Sequence, residues 1–336
     1  MYRRLAIIMP VFNDWESMES LLEAIDTTLV GFDLTIDVIA VDDCSTMPCP
    51  QIKPPRKSIS SVTIVRLGAN VGHQRAIATG LVKVAQESEA DLVAVMDSDG
   101  EDTPQELKRL LQDALASPGY GIVAQRKRRS EGLVFKFFYM IYTRVFRILT
   151  GHKINFGNFV VLPISHVKKL VYSPNIWNNF PSSIVFSKLP MKYLDTVRGT
   201  RYFGQSKMNF VNLVAHGLGA VSVFSEAVFI RILVASIVLF LGSFASAILA
   251  IAIRIFTATA IPGWTTNALG FALLVSIQAV LVPIMMAFLL LNNRSSLQIS
   301  PKEHAPKLIV ETWTVRRSVE EAPLSGVAGT SDRLMD

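Results

Sequence analysis

The sequence predicts an α/β domain with a mostly parallel sheet, followed by interfacial helices and a two-helix transmembrane hairpin. Three observations predict this architecture. Short apolar runs alternate with helical patterns over residues 1–125, and two long stretches further on contain no Asp, Glu, Lys or Arg. The 336-residue chain is also 50% hydrophobic and only 18% charged. Soluble domains rarely have so few charges, so part of the chain is expected in a membrane.

The alternating elements of the first half each have a local signal. Buried strands are expected at residues 5–9, 38–41, 62–67 and 92–96. A first helix is expected at 16–29 with Asp14 as its N-cap, a second at 74–87, and a third opened by Thr103 and Pro104. Strands that alternate with helices predict a parallel sheet with right-handed crossovers.

Four acidic side chains follow two of these strands, at the edge where α/β sheets bind ligands. Asp42 and Asp43 follow the second strand, and Asp97 and Asp99 follow the fourth, with Glu101 two residues further on. Mg²⁺ and Mn²⁺ prefer oxygen ligands and are usually shared with substrate phosphates. A metal site is therefore one interpretation. A solvated turn is the other, because Asp-Ser-Asp-Gly is also favourable turn chemistry.

Phosphate binding must rely on cations, because the sequence has neither a GxGxxG after a strand nor a GxxxxGK[ST] motif. A dinucleotide oxidoreductase and a P-loop ATPase therefore lose support. The candidate phosphate-binding side chains are basic and flank apolar segments: Arg126, Lys127, Arg128, Arg129, Arg201 and Lys207. A solvated face or a topology signal is the alternative reading of these basic runs.

The two uncharged stretches are long enough to cross a bilayer, which takes about 20 residues. The first span is expected at about 230–253 and the second at about 269–291, with a turn at 260–264 between them. A pair of buried core helices is the alternative. Basic residues lie before the first span and after the second, whereas the turn side offers only Arg254. The positive-inside rule then predicts that both termini are cytoplasmic, in an integral inner or plasma membrane protein.

Two other segments are expected to lie on the membrane surface. Leu133–Leu149 is bulky and apolar except for a narrow stripe of Lys136, Thr143, Arg144 and Arg147, as an interfacial helix requires. An ordinary core helix with one wet edge is the alternative. Residues 208–226 are a second, weaker candidate.

The remaining composition limits the partners. The net charge of +6 fits an anionic membrane surface or phosphate ligands better than nucleic acid. Cys44 and Cys49 are too few for a disulfide framework, and the basic N-terminal segment lacks the long apolar run of a cleavable signal. A short strand near 308–312 needs a partner sheet, for which another subunit of a homo-oligomer is one source. Residues 318–336 are expected to be disordered.

Six short motifs together resemble family-2 glycosyltransferases with a GT-A fold. They are PVFND (10–14), VDDCST (41–46), NVGHQRAIATG (70–80), MDSDGED (96–102), GNF (157–159) and RYFGQSK (201–207). The branch they resemble is the polyisoprenyl-phosphate glycosyltransferases, the relatives of dolichol-phosphate mannose synthase, including the bacterial type with two transmembrane helices. The resemblance covers roughly residues 4–295. It divides the chain into a nucleotide-sugar and metal domain (1–130), an acceptor-side region (131–228), the hairpin (229–293) and a cytoplasmic tail (294–336).

The resemblance implies a role for each matching position. Donor-binding residues would be Pro10, Phe12, Asn13, Asp42, Asp43, Asn70, Gly72 and Asp97, with Ala76 near the donor loop. Metal ligands would be Asp97, Asp99 and Glu101, binding Mg²⁺ or Mn²⁺. The acceptor phosphate would meet Arg126, Arg201, Ser206 and Lys207, and the catalytic set would be Asp99, Arg126, Arg201 and Lys207.

Three positions depart from the family pattern. Cys44 replaces the usual glycine after the acidic pair, Glu101 stands where many members have Gln, and Asn158 replaces an aspartate proposed to assist catalysis. A carboxylate base is therefore not expected at 158. The absence of a QxxRW signature argues against a processive polysaccharide synthase.

The resemblance implies an inverting transfer of one sugar from a nucleoside diphosphate, UDP in preference to GDP, to polyprenyl phosphate (undecaprenyl phosphate in bacteria) at the cytoplasmic membrane face. Two alternatives stay open: another lipid acceptor such as diacylglycerol, and a catalytically silent membrane scaffold with the same fold.

Overall fold

The computed structural model describes residues 3–55, 57–126, 133–204, 210–257, 261–295 and 299–317. The described strands are β1 (Arg4–Val11), β2 (Thr35–Asp42), β3 (Ile59–Leu67), β4 (Leu92–Val95), β5 (Gly121–Arg126), β6 (Phe156–Pro163), β7 (Met191–Thr196) and β8 (Ile309–Arg316). The helices are α1 (Trp15–Thr28), α2 (His73–Glu87), α3 (Pro104–Ala116), α4 (Leu133–Thr150), α5 (Ile164–Leu170), α6 (Phe180–Phe186), α7 (Phe210–Ser222), α8 (Ser225–Phe256), α9 (Trp264–Ser295) and α10 (Pro301–Leu308).

The strands form one sheet in the order β7-β5-β6-β4-β1-β2-β3-β8. Strands β4, β1, β2 and β3 run parallel, as do β5 and β7, whereas β6 and β8 are antiparallel to their neighbours. Strand β1 is buried along seven of its eight residues, the continuous burial of a strand covered on both faces. The predicted α/β class with a mostly parallel sheet is confirmed.

Helix α3 begins as its sequence predicts. The Thr103 hydroxyl accepts a hydrogen bond from the Glu106 amide at 3.3 Å, and Pro104 occupies the first helical position. Helix α1 begins differently: Asp14 stands at the N-cap, but its side chain makes no capping hydrogen bond. That carboxylate is used in the site described below.

Helices α8 and α9 are both long and apolar enough to cross a membrane, and little of either is covered by the rest of the chain. They pack against each other through small residues, and the Ser243 hydroxyl donates to the Ala272 carbonyl at 2.6 Å. Small residues allow close approach of helix backbones where lipid offers no hydrophobic driving force. The predicted two-helix hairpin is confirmed as a feature of the fold.

Helix α4 covers the segment that the sequence assigns to the membrane surface. Within its described side chains, Ile148 is 71% exposed and Arg144 and Arg147 are also exposed, whereas Phe146 is buried against Phe224. Helix α7 lies beside it and ends at Ser222, before the 226 predicted, because a new helix starts at Ser225.

The expectation of another subunit as partner for the C-terminal strand is wrong. Strand β8 pairs antiparallel with β3 of the same chain, from Ile309 against Leu67 to Arg316 against Ser61. A strand of eight residues at the edge of a large sheet needs no second chain. Helix α10, just before it, packs on α2, so the segment that follows α9 belongs to the α/β domain.

Candidate active site

Side chains from three strand ends meet at the carboxyl edge of the parallel strands. Asn13 and Asp14 follow β1, Asp42 closes β2, and Asp97 follows β4. This convergence follows from parallel strand direction, since all these strands end on the same side of the sheet.

Asp99 lies in the turn after β4, where Gly100 has a φ of 87°. Its carboxylate, only 13% exposed, accepts hydrogen bonds from Arg201 Nη1 at 3.1 Å and from the Glu101 amide at 2.9 Å. Burial and then the charge of Asp97 raise the pKa of Asp99 to about 6, although Arg201 opposes the shift. The charge of Asp99 therefore stays costly even beside Arg201.

Asp97 belongs to a polar cluster with His73 and Asn158. Its Oδ1 lies 3.1 Å from His73 Nε2 and 3.5 Å from Asn158 Nδ2, and Asn158 Oδ1 accepts from Gln74 at 3.2 Å. Burial opposes a charge on His73, but Asp97, with smaller contributions from Asp43 and Asp99, outweighs burial, so the pKa of His73 is raised. Asn158 Nδ2 also lies 2.9 Å from His73 Nε2, so Asn158 contacts both members of the His73–Asp97 pair.

The predicted metal ligands are only partly assembled. The Glu101 carboxylate is ion-paired with Arg198, and the described residues contain no group of three His, Cys, Asp or Glu side chains that could hold a metal. Asp97 and Asp99 nevertheless fit a hard cation, because both are carboxylates and their mutual repulsion is what such an ion relieves. The metal roles of Asp97, Asp99 and Glu101 all stay predictions.

Arg201 bridges two carboxylates from distant parts of the chain. Its Nη2 donates to Asp14, its Nη1 donates to Asp99, and its Nε donates to the Phe203 carbonyl at 2.9 Å. The guanidinium fork suits such two-sided binding. Arg201 thus joins the end of β1, the turn after β4 and the loop that leads towards the first long apolar helix.

Backbone contacts hold that loop on the turn. The Gly199 amide donates to the Glu101 carbonyl at 2.9 Å, and the Tyr202 amide donates to the Asp99 carbonyl at 3.0 Å. The Tyr202 ring lies on Gly100, where a Cβ would come within 2.7 Å of it. A side chain at 100 would therefore separate the two segments.

The acidic pair at the end of β2 fixes the two loops beside it. Asp42, fully buried, accepts from the Ser45 amide at 2.8 Å and from Arg66 Nε at 3.1 Å. Asp43 accepts from the amides of Val71 and Gly72 at 2.7 and 2.9 Å. Burial raises the pKa of Asp43 despite these two hydrogen bonds. Neither carboxylate has much free surface, so direct contact with a nucleotide stays a prediction for both.

The other predicted donor residues lie around these loops. Asn13, with a φ of 52°, accepts through Oδ1 from the Met47 amide at 2.9 Å, while Phe12 is 38% exposed and Asn70 is exposed. Pro10 and Ala76 are buried in the domain. Gly72 has a φ of 89°, a backbone conformation that favours glycine.

Several predicted residues fall where the structure gives no side chain. Lys127, Arg128, Arg129, Ser206 and Lys207 lie outside the described residues, as do 318–336. Arg126 ends strand β5 and is described by its backbone alone. Their phosphate-binding roles therefore stay predictions.

Sequence reasoning assigned no site role to Asp14, His73 or Arg66. Asp14 and His73 stand inside the motifs PVFND and NVGHQRAIATG, which is the signal that could have identified them. Arg66 lies on a strand and gives no such signal.

Comparison with known proteins finds a family match for the first half of the chain. Residues 6–167 match the model described as glycosyl transferase family 2. The chain is 24% identical over 224 residues to the undecaprenyl-phosphate 4-deoxy-4-formamido-L-arabinose transferase of Klebsiella pneumoniae (strain 342), covering 63% of this chain and 64% of that protein. It is 28% identical over 135 residues to the Proteus mirabilis (strain HI4320) protein of the same name, covering 40% of each chain. The chain therefore spans less than two thirds of the length of these relatives.

Among solved structures, the chain is similar to glucosyl-3-phosphoglycerate synthase from Mycobacterium tuberculosis, in complex with Mn²⁺, UDP-glucose and phosphoglyceric acid. The TM-score is 0.47 and the identity 14%, over 67% of this chain and 80% of that one. Mannosyl-3-phosphoglycerate synthase from Rubrobacter xylanophilus gives a TM-score of 0.45 and 15% identity, over 67% and 73%. Over residues 6–167, just under half of its length, the chain therefore matches the family 2 glycosyltransferases, and it is distantly related to the undecaprenyl-phosphate arabinose transferases.

Proposed function

We propose that this protein transfers one sugar from a nucleoside diphosphate to a polyprenyl phosphate at the membrane surface. The contact between Asp99 and Arg201 carries the proposal. Asp99 stands on the side assigned to the donor, and Arg201 belongs to the loop assigned to the acceptor. One ion pair therefore joins the two half-sites that such a transfer requires.

The proposed reaction is a single displacement. A phosphate oxygen of the lipid attacks the anomeric carbon, the bond from that carbon to the nucleotide's β-phosphate oxygen breaks, and the nucleoside diphosphate leaves. A phosphate monoester has a second pKa near 6, so the acceptor is mostly dianionic at neutral pH and needs no general base. An asparagine at 158 is compatible with that chemistry.

Asp97 and Asp99 would hold Mg²⁺ or Mn²⁺, which would neutralise the leaving diphosphate as a Lewis acid. Arg201 would position the acceptor phosphate, with Arg126, Ser206 and Lys207 as further candidates. Positioning of this kind can supply several kcal/mol of rate enhancement.

The path of the chain supports a membrane hairpin with both ends on one side. Helices α8 and α9 run out and back, and strand β8 then pairs with β3 of the α/β domain. Two crossings return the chain to the side from which it started, and the basic residues outside the hairpin favour the cytoplasm for that side.

The surface helices support a membrane-bound acceptor. Helices α4 and α7 adjoin α8 and expose large apolar side chains such as Ile148 and Leu218. Arg231 on α8 donates to the Leu149 carbonyl at 2.7 Å and so fixes the end of α4 beside the first membrane helix. A polyprenyl phosphate presents its phosphate at headgroup depth, which is where such helices lie.

The donor is proposed to be a UDP-sugar rather than a GDP-sugar, because the two-helix hairpin resembles that of the bacterial type. The test is nucleotide release from a panel of UDP- and GDP-sugars by purified protein in detergent, with Mg²⁺ or Mn²⁺, with and without a short prenyl phosphate. Release that requires both cation and prenyl phosphate supports the proposal. Nucleotide release with diacylglycerol equal to that with the prenyl phosphate would mean that the acceptor is a neutral lipid. No release from folded protein with any donor would favour the catalytically silent scaffold.

A further inference from the structure

Asp14 is the N-cap residue of α1, but its carboxylate binds Arg201 instead of capping the helix. Aspartate at an N-cap ordinarily accepts a hydrogen bond from its own helix, a contact that is typically about 1 kcal/mol in stability. Here the carboxylate gives up that contact and binds Arg201 instead. Its side chain is 15% exposed and that of Arg201 is 21% exposed, so the pair is largely shielded from water.

The second carboxylate that Arg201 binds, that of Asp99, is also a predicted ligand of the cation. Asp99 binds Arg201 through Nη1 and, by the proposed function, also binds the divalent cation of the donor. A guanidinium and a divalent cation repel each other, so both cannot share that carboxylate oxygen at full strength. Asp14 lies outside the predicted cation ligands, and its contact with Nη2 is compatible with an ion at Asp99.

We propose that Asp14 is a positioning residue that anchors Arg201 through Nη2, and that Arg201 Nη1 exchanges its partner from Asp99 to the acceptor phosphate when the donor's cation binds. The inference rests on the proposed function. The proposed exchange makes acceptor binding dependent on the donor. Before the donor binds, Arg201 Nη1 is paired with Asp99 and is not available to the lipid phosphate.

Prenyl phosphate binding, rather than turnover, tests the exchange. The dissociation constant of farnesyl phosphate is measured calorimetrically with full-length protein in detergent, without additions and with saturating UDP and Mg²⁺. We expect wild-type affinity to rise about tenfold on loading, the value of one charge-assisted hydrogen bond. Asp99→Asn, which weakens the hold on Nη1, is expected to bind farnesyl phosphate without Mg²⁺ nearly as tightly as the loaded wild type.

Asp14→Asn tests the anchor. We expect its farnesyl phosphate affinity to fall about tenfold in the loaded state, with little change in UDP–Mg²⁺ affinity. Glu16→Gln is the matched control, because it removes a carboxylate from an exposed position on the first turn of the same helix; it is expected to behave as wild type. An Asp14→Asn variant that loses UDP affinity but keeps lipid affinity would assign Asp14 to the donor and overturn the proposal.

The outcomes separate this inference from the proposed function. Wild-type protein that binds UDP–Mg²⁺ but no farnesyl phosphate in either state would remove the acceptor assignment itself. Wild-type protein that binds farnesyl phosphate equally with and without UDP–Mg²⁺ would leave the acceptor in place and refute the exchange of Arg201. Metal-free Asp99→Asn that binds no better than metal-free wild type would refute it as well.

Discussion

Arg66 on β3 donates its Nε–H to the fully buried carboxylate of Asp42 at the end of β2, 3.1 Å away. The far side of the same guanidinium lies 3.6 Å from Glu311 and 6.0 Å from the Trp313 ring centroid, both on β8. The strand that follows the two long apolar helices thus supports the residue that neutralises Asp42.

Replacing Arg66 should loosen the donor loops. In Arg66→Gln, Asp42 keeps the Ser45 amide but loses its charged partner, which should destabilise the fold by about 2 kcal/mol and weaken UDP–Mg²⁺ binding. Thermal unfolding and calorimetry measure the two effects. Arg316→Gln, an exposed cation on the adjacent strand, is the control. Unchanged UDP affinity in Arg66→Gln would show that Asp42 needs no charged neighbour.

Asp99→Asn is expected to abolish turnover and yet stabilise the cation-free protein at neutral pH. The pKa of Asp99 is raised to about 6 by burial and by Asp97, so the folded state binds this proton more tightly than the unfolded chain does. The stabilising contribution of this proton to the cation-free wild type is therefore fully present below about pH 4 and is lost as the pH rises through about 6. The melting temperatures of the two proteins, measured from about pH 4.5 to about pH 7.5, should diverge as the pH rises. Near-normal turnover would remove the metal assignment.

The same titration should govern Mg²⁺ affinity. Cations bind the carboxylate form of Asp99, so affinity should be constant well above pH 6 and fall as the pH drops below it, approaching tenfold per pH unit. Isothermal titration with Mg²⁺ and UDP at several pH values measures this dependence. The titration of Asp99 lies near pH 6. A Mg²⁺ affinity that is the same at about pH 5 and at about pH 8 would therefore contradict the role of Asp99.

Cys44→Gly should stabilise the protein by about 1 kcal/mol, because a side chain in the left-handed region costs that much and glycine does not. Cys44 has a φ of 58°, which explains why the family pattern has glycine there. Cys44→Ala keeps the Cβ and is the matched control, with no comparable gain expected. Equal unfolding free energies for Cys44→Gly and Cys44→Ala would rule out backbone strain at this position.

Removal of the hairpin should spare donor binding and cut transfer to long lipids. The structure dictates how the deletion is made: residues 229–293 are replaced by a flexible linker while 299–317 are kept, because β8 completes the sheet beside β3. UDP–Mg²⁺ affinity should stay within about twofold of wild type, and transfer to a C55-class lipid phosphate should fall far more than transfer to farnesyl phosphate. Equal losses with both acceptors would mean that the hairpin supports the catalytic domain instead.

The sequence predicted those parts of the fold that depend on local signals. Three local signals each identify an element without reference to the rest of the chain: the apolar run of β1, the Thr103 cap of α3 and the uncharged stretches of α8 and α9. Chain direction then predicts that Asp42 and Asp97 share one edge. What could not be predicted depends on contacts between distant residues: Asp14 with Arg201, 187 positions apart, and Thr63 with Thr314, 251 apart. Hydrophobic periodicity is a local signal and does not indicate which distant residues pair.

The pairing of β3 with β8 also determines the order in which the chain can fold during synthesis. During synthesis, β3 emerges before either long apolar helix exists, and it remains an open sheet edge until the chain has passed through both. Open edges of this kind invite wrong pairing, and contacts between such distant residues form slowly. The α/β domain therefore finishes folding only after both long apolar helices have been made, and a nascent chain stalled before them lacks the strand that contacts Arg66 beside Asp42.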